Sequence, residues 1–256
     1  MESKNIQTIY VMWLREMKRF LRDKSRVIGT LAMPFFFLFS MGFGFRGGFN
    51  LPGIPQGTDY IDFLVPGILG MTMLFTSMFA GLSVLWDKEF GFLKEIMVAP
   101  VRRSAIVFGR IAGGITTSLI QGVLILIISF FLGFELNNIF NILSALTFMF
   151  LIGAGFIGFG IAMASKMDDV QGFSLIIQFI IFPTFLLSGA LFPVSNFPNI
   201  IRMISYVNPL TYGVDGLRAS LIGFSQFSLG LDFLVILIFD LVMIGLATWL
   251  FSKTEV

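Results

Sequence analysis

Apolar residues fill six stretches of the chain, about 27–45, 61–85, 104–132, 138–164, 170–192 and 232–251, and most charged residues fall between them. Runs longer than about 18 apolar residues match a bilayer core of about 30 Å. Only helices and closed barrels satisfy their backbone groups in lipid, and these runs are too long and too uniformly apolar for barrel strands. The pattern predicts an all-α integral membrane protein with six transmembrane helices. The 256 residues read as one domain.

Three segments break that pattern. In residues 4–25, Ile6, Ile9, Tyr10, Trp13, Leu14, Met17, Phe20 and Leu21 recur at helical spacing, and Arg15, Lys18, Arg19, Arg22 and Lys24 lie largely off the stripe. That predicts an amphipathic helix in the membrane interface, with Trp13 at headgroup depth and its cations near anionic lipid. Residues 86–110 hold eight charges: Asp87, Lys88, Glu89, Lys94, Glu95, Arg102, Arg103 and Arg110. Here 87–98 is expected to form a short helix ended by Pro100. Phe90, Leu93, Ile96 and Met97 would form an apolar edge, while Asp87, Lys88, Lys94 and Glu95 stay wet. Such a helix suits docking to a soluble partner. Residues 193–231 are too apolar for a solvated loop, and Pro193, Pro198 and Pro209 divide them. Short re-entrant helices at 197–206 and 209–222 are expected before the last span.

Charge orients the bundle. Fourteen of the seventeen Lys and Arg fall in the segments shared by the two termini, the 86–110 link and Lys166; Arg46, Arg202 and Arg218 fall on the other side. Both termini and the 86–110 link are therefore expected in the cytoplasm, with 193–231 outside. The span-length run after the basic N-terminal region has no A-x-A-like end, so no cleaved leader is expected.

Composition narrows the chemistry. The absence of cysteine excludes disulfides and thiolate metal sites, and the absence of histidine removes the commonest metal ligand and general base. Gly153-x-Gly155-x-x-Gly158 copies a dinucleotide fingerprint but lies inside a span, where small residues let helices approach closely. Gly109-x-x-x-Gly113 reads the same way. No phosphate-binding G-x-x-x-x-G-K-[ST] loop occurs, so ATP hydrolysis is not expected of this chain alone. Asp240 lies well inside the last span. It is a functional candidate or a hydrogen-bond partner of a neighbouring helix. Gln121 and Gln178 are interhelical polar contacts or ligand contacts. Met71, Phe75, Met78 and Phe79, with Phe179, Phe182 and Phe185, pack against lipid and helices or line an adaptable apolar route.

The charged link resembles the signature of the type-2 permeases of ATP-binding-cassette exporters. Their acidic-x-Gly element is matched by Glu89-Phe90-Gly91, their Pro-x-Arg/Ser element by Pro100-Val101-Arg102-Arg103-Ser104, and the Gly-Arg start of the next helix by Gly109-Arg110. Asn208-Pro209-Leu210-Thr211-Tyr212 is similar to a second family motif, and Pro66-Gly67-Ile68 also fits. The daunorubicin-resistance type of multidrug permease is the most similar subgroup.

The resemblance implies a half-transporter in the cell membrane that forms a homodimer and binds two copies of a separate ATPase. That partner would hold ATP and magnesium, leaving this chain without a cofactor or catalytic residue. The 86–103 link would be the coupling helix, with Glu89, Phe90, Gly91, Leu93, Lys94, Glu95, Met97, Pro100 and Arg102 as its coupling residues. The N-terminal helix would lie beside it. Spans one, two and five would line the dimer interface and pathway, and Asn208, Pro209 and Tyr212 would belong to the outer gate. The expected activity is export of a hydrophobic or amphipathic drug or lipid. Export of a lipid-linked glycan and ion-coupled carriage through Asp240 are the alternatives.

Overall fold

Helices form along the apolar runs. The computed structural model describes residues 2–45, 59–98, 101–136 and 141–254, and no strand occurs among them. Helix α1, Glu2–Arg22, is separated from α2, Lys24–Gly44, by Asp23 alone. The long α3, Tyr60–Glu89, leads into the short α4, Phe92–Val98. Then come α5, Arg103–Phe131, and α6, Ile142–Ala164. Next, α7, Val170–Ile176, continues through a π turn, Ile177–Ile181, into α8, Phe182–Leu186. Two short helices, α9, Asn199–Val207, and α10, Pro209–Ile222, precede α11, Leu229–Ser252.

Five of these helices, α2, α3, α5, α6 and α11, are long and apolar enough to cross a membrane. The expected fifth span at 170–192 is shorter, because its helix stops at Leu186 and the chain turns at Gly189, whose φ is +78°. At about 1.5 Å per residue, α7 through α8 extends about 25 Å, less than a hydrocarbon core of about 30 Å. The π turn has a local cause. Pro183 has no N–H to give, and the preceding Phe182 N–H reaches back five residues to the Ile177 carbonyl.

Helix α3 is the axis of the bundle. Most of it is buried, whereas α2 and α11 face outward along most of their length. It packs on α2, α5, α6 and α10. The α3–α6 contact is backbone to backbone, since a Cβ on Gly81 would stand 2.6 Å from Gly160 Cα. The Gly153-x-Gly155-x-x-Gly158 run seats three neighbours: Gly153 faces Ser118 of α5 and Met73 of α3, while Gly155 and Gly158 face Phe239, Asp240 and Met243 of α11. These glycines replace a hydrophobic driving force, which lipid does not supply, with close van der Waals contact.

The N-terminal helix differs from its expectation. It packs on the first half of α5, where Gly109 and Gly113 receive it: a Cβ on Gly109 would meet Met12 Cβ at 2.6 Å, and one on Gly113 would meet Glu16 Cβ at 2.7 Å. Met12, Met17 and Phe20 are buried, and Trp13 Nε1 donates to Thr116 Oγ1 at 3.0 Å. Ile6, Tyr10 and Leu21 remain exposed. Part of the apolar stripe thus binds protein, and the rest is left for lipid.

Candidate functional site

The turn between α3 and α4 is built around one glycine. Helix α3 runs past the expected end of the span, so Asp87 and Lys88 belong to its last turn. Phe90 N–H donates to the Trp86 carbonyl at 2.9 Å, and Gly91 N–H to the Lys88 carbonyl at 3.1 Å. Gly91 has φ +75°, a left-handed conformation that costs an L side chain strain. Helix α4 then starts at Phe92 and packs on α3.

Its two faces are distinct. Leu93 is 1% exposed and faces the core, where it anchors α4 to its own chain and is withdrawn from any external docking surface. Ile96 and Met97 are half-buried against the same core. Phe90, at the tip of the turn, is 80% exposed. Glu89, Lys94, Glu95 and Val98 are exposed beside it, and exposed Arg102 immediately precedes α5. Pro100 lies outside the described residues.

Asp87 is not the solvated charge expected of it. Only 5% exposed, it accepts from Arg15 through both oxygens, at 2.9 and 2.5 Å. Arg110 Nη2 donates to it at 2.6 Å, and Arg19 approaches to 3.7 Å. One carboxylate therefore joins α1, α3 and the start of α5. Arg15 also lies over the Phe92 ring at 4.1 Å, and Arg19 over Trp86 at 5.2 Å. The base of α4 is tied into this node by cation–π contact. Two of these arginines were expected to face lipid headgroups; the buried acid claims them because an unpaired carboxylate there would be costly.

Further pairs close the same end. Lys88 Nζ bonds Asp168 Oδ1 at 2.5 Å and the Met167 carbonyl at 3.3 Å, joining α3 to the α6–α7 turn. That hydrogen bond holds the exposed Asp168 carboxyl below its ordinary value. Arg103 donates to the carbonyls of Ser252 and Thr254 at 2.6 and 3.1 Å, capping α11. Between α1 and α4 lies a groove of about 430 Å³, lined by Lys4, Val11, Met12, Arg15, Phe92 and Ile96.

The opposite end is tightly cross-bonded. Asn208 caps α10 by accepting from Leu210 N–H at 3.0 Å and donates to the Thr184 carbonyl at 2.7 Å. Pro209 occupies the first turn, where a missing N–H costs nothing. Tyr212 donates to the Tyr206 carbonyl at 2.7 Å and packs on Phe227. Arg218, 2% exposed, lies over Phe63 at 3.8 Å and donates to the Gly189 carbonyl at 3.0 Å. Burial lowers its guanidinium pKa to about 10. Asp215 accepts from Gln226 and Phe227 N–H groups. Burial pushes the Asp215 carboxyl up, against these backbone donors and the nearby Arg218 charge.

The expected apolar route divides. Phe75 and Phe185 meet edge-on at 6.4 Å, Phe182 packs on Phe185, and Phe37 of α2 completes the cluster. Met71 and Met78 are sealed in the core, Phe79 is half-buried, and Phe179 is exposed on the π turn. The intramembrane polar residues are likewise dispersed. Gln121 is buried and bonded to Thr76 and Thr30. Gln178 is exposed, and Asp240 is buried against Gly155 of α6.

Sequence reading passed over Asp87 as a buried anchor, and also Asp232, fully buried in the first turn of α11. Glu16 was missed as well, although its place between Met12 and Phe20 on the stripe of α1 was a signal.

The comparisons agree with this architecture. The sequence profile of the ABC-2 type transporter family matches residues 7–222. The transport permease ycf38 of Cyanophora paradoxa is 29% identical over 252 residues, covering 93% of this chain and 86% of its own. The inner membrane transport permease YadH of Escherichia coli (strain K12) is 29% identical over 235 residues, covering 89% and 88%. Nodulation protein J of Rhizobium meliloti (strain 1021) is 24% identical over 231 residues, covering 90% and 86%. The chain belongs to the ABC-2 type transporter family, as a transmembrane permease of an ABC exporter.

Proposed function

We infer that this permease exports a hydrophobic or amphipathic molecule and takes its energy from a separate ABC ATPase that docks on the α3–α4 turn. The observation that carries the reading is Phe90: a large apolar side chain, 80% exposed, flanked by exposed Glu89, Lys94 and Glu95. An aromatic anchor with a polar rim is the composition of a protein-binding hot spot. The adjoining groove between α1 and α4 offers a second apolar contact.

The end bearing α1 and α4 faces the cytoplasm, as its Lys and Arg favour. Two copies pair through α2 and the α7–α8 rod, whose Phe36, Phe39, Phe43 and Phe179 are exposed in the single chain. A shift of α4 by the ATPase would move the Asp87 node, and with it the ends of α1, α3 and α5. Each nucleotide state must favour a different arrangement of these helices for transport to occur. The chain itself contributes no hydrolytic site.

The test uses the permease reconstituted with its ATPase. Glu89→Arg and Gly91→Pro are expected to abolish substrate-stimulated ATP hydrolysis and transport, with the permease still folded. Normal transport by both variants refutes docking at this turn.

A further inference from the structure

We propose that Glu16 forms a binding site for the primary ammonium group of a transported amphiphile. Calling the ligand transported rests on the function above; the site itself rests on geometry. Glu16 is 7% exposed, and its Oε1 is fully buried with no hydrogen-bond partner. Gly113, lacking a side chain, lets the Glu16 stem lie on α5. Glu16 lines a small cavity with Thr30, Thr76, Thr117 and Gln121. The cavity measures about 10 Å³, the room of one water-sized group.

The hydrogen-bond directions select the occupant. Thr76 gives its hydroxyl proton to Gln121 Oε1. Thr117 gives its proton to the Gly114 carbonyl at 2.9 Å, and Thr30 gives its own to the Val27 carbonyl at 3.1 Å. Gln121 Nε2 spends one proton on Thr30 Oγ1 at 2.6 Å and retains one. The Thr76 and Thr117 hydroxyls therefore present lone pairs, and together with Glu16 they form a lining dominated by acceptors. A compact cation with several N–H donors answers that lining, and a neutral acceptor or an anion does not.

The walls favour an organic ammonium over a bare metal ion. Phe20, Phe79 and Ala80 complete the cavity, and aromatic faces attract ammonium groups. Phe37 lies seven residues beyond Thr30 on α2, which is two turns or about 10 Å. There it meets Phe75 and Phe185. An ammonium head at Glu16 would place its apolar body along α2 toward this aromatic cluster, which requires the helices to part between them.

The test needs no ATPase. The permease in lipid nanodiscs is titrated with 4-phenylbutylamine, with its N-acetyl derivative and with potassium chloride, and the shift in Tm gives the apparent affinity. The amine is expected to raise Tm saturably, and the N-acetyl compound and potassium are not. Glu16→Gln should require at least about tenfold more amine, the loss of a charge-assisted bond. Thr117→Val should require about threefold more, the loss of one neutral acceptor. If Glu16→Gln does not fold, Thr117→Val decides alone. Equal titrations in wild type and both variants overturn the proposal. So does stabilisation by potassium alone, which marks a free-cation site. Glu89→Arg should bind the amine normally, so a failure of ATPase coupling is read separately.

Discussion

At the residue scale, one acid holds the basic end together. Asp87 faces three arginines, and of these Arg110 is 3% exposed, so removing the acid strands a buried cation. Asp87→Asn is expected to destabilise the permease by about 3–5 kcal/mol, as for a broken buried ion pair. Arg19→Ala should cost about 1 kcal/mol or less, because Arg19 stands 3.7 Å away and is partly solvated. Denaturation midpoints in detergent check both. Equal small losses would mean that water screens the node. This anchor was illegible in the sequence because the span was expected to end before it, and a charge just beyond a span ordinarily stays wet. Phe90 was legible as an apolar contact of the charged link, but the turn at Gly91 was not, because 87–98 read as one helix and the break falls inside it. Leu93 was read as part of an outward edge, but the roll of a seven-residue helix is set by the core beneath it.

At the element scale, the seat of α1 on α5 decides how the N-terminal helix behaves. Its periodicity gave away the helix and the width of its apolar face. It did not say whether lipid or protein would cover that face, because both are equally apolar. Gly109 and Gly113 settled the matter by opening a close approach. Gly109→Leu is therefore expected to lift α1 from α5, break the bond from Trp13 to Thr116 and red-shift tryptophan emission. An unchanged spectrum would place α1 in the interface without a seat. The α7–α8 rod shows the reverse difficulty. Its composition reads as a full span, but the turn at Gly189 shortens it, and that conformation leaves little trace in hydropathy.

At the scale of the whole molecule, the ends of the bundle differ in kind. One carries a clustered basic node beneath an exposed aromatic knob. The other is closed by hydrogen bonds at Asn208, Tyr212 and Arg218, of which the Arg218 bond is buried. The helical membrane architecture was legible because spans are long and apolar, while the partition of polar groups depended on pairings distant in sequence. The account makes this chain a conduit driven from its basic end. The most direct measurement is transport in proteoliposomes containing the permease alone, then the permease with its ATPase and ATP. The account predicts accumulation only in the second case. Equal transport by the permease alone would contradict it.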